Sequence, residues 1–220
     1  MTASYVFSPE TLIKAYSLGV FPMATSKDDP EIHFYEPDIR GILPIMPPHI
    51  PRRLMRLVKQ RPYQISYNQA FPAVIAACAE ITSTRDDSWI NPEIERLYIA
   101  LHAMGFAHSV EVWDGTQLIG GLYGVKIGGA FFGESMFSRA PNTSKIALAH
   151  LMGRLHLTGF GLLDAQFAND HLLQFGLIEV PRDEFQVILQ SALQNSCDLR
   201  LDIKEDEVIH HLLHLNKVTS

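Results

Sequence analysis

Two short polar insertions hold the side chains of this sequence best suited to chemistry. In Ala130-Phe131-Phe132-Gly133-Glu134-Ser135-Met136-Phe137-Ser138, a glycine and an acid interrupt an apolar, strand-like run. A carboxylate there is costly without a partner or a task. The stretch alone also fits an edge strand with Glu134 facing water and Gly133 at a bulge. In Gly161-Leu162-Leu163-Asp164-Ala165-Gln166-Phe167, Asp164 and Gln166 stand two apart, which on a strand puts both on one face, about 6.6 Å apart. A carboxylate beside an amide can hold it in one orientation and leave an oxygen or N–H aimed outward, which suits the positioning of a reacting amine or carbonyl. The plain alternative is the polar face of a strand end.

Other chemistries fit less well. A serine nucleophile at Ser135 would need a glycine where Phe137 stands. His210, His211 and His214 include an i, i+4 pair, but they sit in a C-terminal tail without a carboxylate cluster, so no metal is expected. Cys78 and Cys197 form no CxxC or zinc spacing and point to a reduced, cytoplasmic protein. The first five residues lack a basic region followed by an apolar core, and no uncharged run approaches membrane-spanning length, so neither secretion nor membrane spanning is expected. With 220 residues, 47% of them hydrophobic, the chain can build one large or two small cores.

The net charge of −6 disfavours a nucleic-acid partner only if the charges are evenly spread. They are not. Between Pro51 and Pro62, five of the 18 basic residues occur without an acid. Arg52, Arg56 and Lys59 fall on one face of a helix, with Leu54, Leu57 and Val58 on the other. Such a face is either simply solvated or a seat for a phosphate backbone.

The elements that must position these residues follow from local signals. Ser8-Pro9-Glu10 starts a short helix that Gly19 stops. Ile32-His33-Phe34-Tyr35 is an aromatic strand candidate, and a small N-terminal domain over residues 1–40 precedes a larger one over 41–220. Asn68 can cap a helix through Cys78, and Asn91-Pro92-Glu93 starts another that ends at Gly105. Trp89, just ahead of it, is either core or a stacking platform. From His108 the period becomes two, with turns at Asp114-Gly115 and Gly128-Gly129, giving a three-stranded antiparallel meander. A helix apolar nearly all round follows from Asn142, then the Asp164/Gln166 strand, a short helix ending at Gly176, the strand Ile178-Glu179-Val180 and an amphipathic helix from Asp183.

This order predicts an α+β protein: the small N-terminal domain plus a GNAT-like acyltransferase domain with a mixed, largely antiparallel sheet. The usual cofactor of that fold, acetyl-CoA, needs a glycine-rich turn before the buried helix. Here the turn is Ser138-Arg139-Ala140-Pro141-Asn142-Thr143, a poor source of free N–H groups for a pyrophosphate. No cofactor is expected, and a CoA-dependent N-acetyltransferase is the alternative to weigh.

Phe132 to Arg139, together with His108 to Trp113, Gly120 to Val125, Ser144-Lys145, Asn169-Asp170-His171, Gly176 and Glu179 to Arg182, resembles bacterial leucyl/phenylalanyl-tRNA–protein transferases. The match runs from about Phe7 to Arg182. The resemblance implies transfer of leucine, phenylalanine or methionine from charged tRNA to the α-amine of proteins with N-terminal Arg or Lys, marking them for degradation by the N-degron route. It implies an apolar pocket of Leu122, Phe131, Met136, Leu148, Leu151 and Leu163. Gly133 and Glu134 would hold the aminoacyl-adenosine, with Ser138 also in the substrate-binding set. Asp164, Gln166 and Glu134 would form the catalytic group, Trp89 would contact the terminal adenine, and Arg52, Arg56 and Lys59 would hold the tRNA acceptor arm. Members of that family carry Trp after the Phe-Pro that is Phe21-Pro22 here, where this chain has Met23, and Trp-Trp where it has Phe34-Tyr35. Methionine has no ring face, so adenine stacking at that wall would be weaker or fall to Phe34 or Tyr35. A monomer is expected.

Overall fold

The computed structural model describes residues 7–82 and 86–218; residues 1–6, read above for a leader pattern, lie outside them. Helix α1 (Pro9–Ser17) starts at its sequence signal: Ser8 Oγ accepts the Thr11 N–H at 3.3 Å, and Pro9 occupies the first turn. Gly19, at φ +84°, ends it. Strands β1 (Phe21–Met23) and β2 (His33–Tyr35) form a small antiparallel pair. Then come β3 (Ile39–Leu43), α2 (Arg52–Gln60), β4 (Gln64–Tyr67), α3 (Phe71–Cys78), α4 (Pro92–Ala103), β5 (Ala107–Asp114), β6 (Gln117–Ile127) and β7 (Ala130–Ser138). The chain continues through α5 (Thr143–Leu157), β8 (Leu162–Gln166), α6 (Asp170–Leu173), β9 (Ile178–Pro181), α7 (Arg182–Leu193) and α8 (Glu205–Val218).

The architecture is α+β, with a seven-stranded sheet in the order β4-β5-β6-β7-β8-β3-β9. Only β7 and β8 run parallel, so the sheet is mixed and largely antiparallel. The expected meander is β5, β6 and β7. Helices cover both faces. Leu12 and Tyr16 of α1, Val74 of α3, Leu97 and Tyr98 of α4 and Phe185 of α7 share one core. Leu54 and Val58 of α2, Leu148 and Leu151 of α5 and Leu212 of α8 share the other. Helix α5 is buried from Ile146 to Leu155 because the sheet lies on one side and α8 on the other. A Cβ on Gly153 would lie 2.8 Å from Leu212 Cγ, so this glycine is what lets α8 approach so closely.

Two local expectations are corrected, and two strands are added. Asn68 does not cap α3: its backbone is left-handed at φ +57°, unlike an extended N-cap, and its side chain instead bonds β5, accepting from Ser109 N at 3.0 Å and pairing with His108 Nδ1 at 2.9 Å. The histidine tail is helical, as α8, and His211 stacks on His156 at 4.9 Å. Strands β3 and β4 had no clear signal, because each is short and carries charge, glycine or polar residues. Yet β3 lies inside the sheet, between β8 and β9.

Two register shifts decide where the polar insertions point. Tyr123 pairs with Ser135 and Gly124 with Gly133, so Glu134 is an extra residue bulged out of β7. Without it, Phe132 and Met136 would share a face. With it, Phe132 packs on the α1/α4 side and Met136 on the α5 side. In β8, Gln166 pairs with Gly41 and Asp164 with Ile42, which makes Ala165 the extra residue.

Candidate active site

Between the sheet and α5 lies a cavity of about 240 Å³. Leu43, Leu122, Met136, Leu148, Leu151, Leu163 and Leu172 supply its apolar wall, while Gly133, Glu134, Asp164 and Asn169 bring in polar groups. The leucines come from different elements, and side chains on β6, β7 and β8 reach the cavity only because their alternation, corrected by the bulge, turns them toward α5.

Glu134 is half-buried at this site. Tyr16 of α1 donates to its Oε1 at 2.7 Å, Tyr98 of α4 to its Oε2 at 2.9 Å, and the Gln166 side-chain amide to Oε1 at 2.9 Å. The two phenols also hydrogen-bond to each other. Burial pushes the Glu134 carboxyl up to about 7, against the tyrosine hydrogen bonds, which favour its charged form. The Tyr16 and Tyr98 phenols are held well above their usual range, first by burial and next by the charge of Glu134.

Asp164 is fully buried and paired in two places with Arg40, Nε to Oδ1 at 2.9 Å and Nη2 to Oδ2 at 2.6 Å. The guanidinium lies 4.7 Å from the ring centre of Phe21 and 4.5 Å from that of Phe185, and donates to Gly19 O at 2.9 Å. Asp164 Oδ1 also accepts the Gln166 backbone N–H at 2.9 Å. Gln166 itself is left-handed at φ +61°. The side-by-side arrangement expected from a regular strand is therefore replaced. Asp164 holds the Gln166 backbone, and Glu134 holds its side chain.

Other expected site residues fall into three groups. Gly133 lines the cavity, and the one close neighbour its Cβ would meet is Asp164 O at 3.3 Å. Phe131 is buried in the core beside the pocket leucines and does not line the cavity, because its ring packs against Gly124. Ser138 is exposed; its Oγ lies 2.8 Å from Ser144 Oγ and accepts the Ser144 N–H at 3.0 Å, so it caps the start of α5 beside a second cleft that shares Met136.

Met23 and Trp89 lie outside the apolar cavity but near one another, since Ala24 N donates to Trp89 O at 3.2 Å. Trp89 is half-buried on the core and lines a separate hollow with Thr25, Asp87 and Ser88. Arg52, Arg56 and Lys59 are exposed on α2, whose other face buries Leu54, Met55 and Val58. None of the three has an ion-pair partner among the described residues, and none of those residues form a His/Cys/Asp/Glu group that could hold a metal. No helix among the described residues is long and apolar enough to cross a membrane.

Arg40, Tyr16 and Tyr98 escaped sequence reasoning. Arg40 had a signal, a guanidinium inside the apolar run Ile39-Arg40-Gly41-Ile42-Leu43. The tyrosines had none, because each lies on the apolar stripe of an ordinary helix.

The raised Glu134 carboxyl has a consequence for stability. The folded state binds this proton up to about pH 7, while the unfolded chain releases it near 4.5. Stability is therefore lost as pH rises across that interval. The difference corresponds to at most about 3 kcal/mol, reduced by solvent reaching a half-buried group. Glu134→Gln is expected to remove this slope, read as the change in denaturant midpoint between about pH 5 and pH 8 relative to wild type.

The family described as Leucyl/phenylalanyl-tRNA protein transferase matches residues 42–190, and its N-terminal domain matches residues 6–38. The chain is similar to the leucyl/phenylalanyl-tRNA–protein transferase of Hyphomonas neptunium, with 58% identity over 192 residues, 87% of this chain and 74% of that one.

Proposed function

Because this chain belongs to the leucyl/phenylalanyl-tRNA–protein transferase family, we propose that it moves leucine, phenylalanine or methionine from charged tRNA to the α-amine of proteins that begin with Arg or Lys. Aminoacyl transfer from tRNA to protein is the reaction the family's name states. The observation that carries the finer reading is a leucine-lined cavity bordered by Glu134, whose carboxyl holds the Gln166 side chain. At about 240 Å³ it exceeds the roughly 150 Å³ that admits a benzene ring in an apolar protein interior, so it suits a leucyl or phenylalanyl side chain.

An aminoacyl ester is already activated, and an α-amine with pKa of about 7.7–8.0 is partly neutral near pH 7, so the site chiefly positions two substrates and handles one proton. In this reading Gln166 Nε2 is committed to Glu134, and its Oε1 accepts an N–H of the attacking amine as charge develops there. Asp164 acts at one remove, by holding the Gln166 backbone. Trp89 meets the terminal adenine, with Met23 and Phe34 or Tyr35 as further surface. Arg52, Arg56 and Lys59 contact the phosphates of the acceptor arm, a sequence-independent role.

We take the protein to act as a cytoplasmic monomer whose products are marked for degradation, and the domain division to lie near residue 40. A CoA donor is disfavoured by hydrogen bonds at the start of α5. The Ser144 N–H goes to Ser138 Oγ and the Thr143 N–H to Ala140 O, which takes up donors a pyrophosphate would need.

Incubation with radiolabelled Leu-tRNA and an Arg-initiated peptide is expected to label the peptide, while acetyl-CoA leaves it unchanged. Phe- and Met-tRNA should also serve. Ile- and Val-tRNA should be slower by about 10- to 200-fold per misplaced methyl group, because the leucine and methionine wall can distinguish one hydrocarbon side chain from another only by shape. Equal transfer of Leu and Ile would mean that this cavity does not hold the donor side chain.

A further inference from the structure

Three oxygen-bearing groups meet beside the cavity: the Tyr16 phenol, the Tyr98 phenol and the Glu134 carboxyl. Each hydrogen-bonds to the other two. Three contacts need three protons, and the phenols supply two. If Glu134 is a carboxylate, both phenol protons are spent on it, and the phenol–phenol contact sets lone pair against lone pair. If Glu134 is an acid, its proton goes to Tyr98, that of Tyr98 to Tyr16, and that of Tyr16 to Oε1, so every contact is a hydrogen bond. The Gln166 amide, 2.9 Å from Oε1, fits the acid equally well.

We propose that Tyr16 and Tyr98 are positioning residues that close Glu134 into a proton-filled ring, whose third proton passes to the departing 3′ oxygen and is replaced from the attacking amine. This rests on the reading that the cavity receives an aminoacyl ester. The C–N bond forms, and the C–O bond to the ribose breaks with its electron pair going to oxygen. That oxygen takes the Glu134 proton, and the surplus proton on nitrogen returns to the Glu134 carboxylate. No proton is gained or lost overall, and no further base is required. The phenols stay protonated throughout, since burial holds both well above their usual range.

The ionisable groups acting on Glu134 are Tyr16 from α1, Tyr98 from α4, Tyr123 from β6, Asp164 from β8 and Arg40 from β3. Asp164 and Arg40 are paired with each other, and the three phenols remain neutral near pH 7. A titration near neutrality at this site therefore belongs to Glu134.

Infrared difference spectra of wild type against Glu134→Gln, taken from about pH 5.5 to pH 9, read the ring without any substrate. A carboxylic-acid carbonyl band is expected on the acid side, fading as pH rises through neutrality. Tyr16→Phe and Tyr98→Phe each open the ring and free one oxygen of the acid from its phenol hydrogen bond, so against the matching double variant with Glu134→Gln the band should move to higher frequency and fade at a different pH. The pH profile of single-turnover transfer, measured with Phe-tRNA and an Arg-initiated peptide, should move the same way while KM for the tRNA holds. Glu134→Gln can keep the ring's geometry but cannot release its proton, and is expected to slow transfer by about 10²- to 10⁴-fold.

The proposal is overturned if wild type shows no acid band at the low end of the range. It is also overturned if neither phenol variant moves the band or the pH profile. Either phenol variant suffices, so misfolding of one leaves the other as the test. If the band behaves as expected but wild type transfers nothing, the ring's protonation stands, and the transfer reading falls together with the proton's proposed use.

Discussion

Gln166→Gly is expected to lower the single-turnover rate of aminoacyl transfer by about 10²- to 10³-fold, the usual effect of deleting one preorganised hydrogen-bonding group beside developing charge. Glycine is the informative replacement here. Gln166 sits at φ +61°, where any residue with a Cβ pays about 1–2 kcal/mol and glycine does not, so the glycine variant keeps this backbone conformation without strain. The glycine variant also keeps the backbone N–H that Asp164 Oδ1 accepts at 2.9 Å. Only the amide is removed, and with it the bond to Glu134 Oε1. Affinity for aminoacyl-tRNA should be unchanged, because the apolar cavity and the exposed face of α2 are untouched. A near-normal rate in this variant would remove Gln166 from the chemical step and leave it a structural role.

Arg40→Met should carry the largest cost to stability, about 3–5 kcal/mol in chemical denaturation, because it strands the buried Asp164 carboxylate with one backbone N–H as its partner. The methionine can still pack between Phe21 and Phe185, so the loss reports mainly the missing charge. The double variant Arg40→Met/Asp164→Leu is expected to recover much of that stability, since an apolar pair can replace a buried ion pair at little net cost. It should not recover transfer. Without the carboxylate the left-handed Gln166 backbone loses the partner of its N–H, so kcat should stay low while KM for the tRNA changes little. Recovery of both stability and rate would show the ion pair to be scaffold alone.

Several features were legible in the chain itself. The helix starts at Ser8-Pro9-Glu10 and Asn91-Pro92-Glu93 work through contacts three residues away, Thr11 N to Ser8 Oγ and Ile94 N to Asn91 Oδ1, and such local bonds leave a local signature. The β5–β6–β7 meander was equally plain, because turn glycines and a period of two are short-range properties. Glu134, Asp164 and Gln166 stood out because a polar side chain in an apolar run is a cost that must be met somewhere.

What the chain did not disclose is where that cost is met. Asn68 reads as a cap until β5 is beside it, and the spacing of Asp164 and Gln166 reads as one strand face until the extra Ala165 against β3 breaks the alternation. The partners that make Glu134 and Asp164 tolerable are remote: Tyr16 lies 118 residues from Glu134, Tyr98 lies 36 away, and Arg40 lies 124 from Asp164. Residue type and spacing determined most of the helices, the meander and which side chains are chemically out of place. Tertiary packing alone decided that Glu134 bulges toward two phenols and that a guanidinium clamps Asp164, because desolvation and charge pairing act between neighbours in space, whatever their separation along the chain.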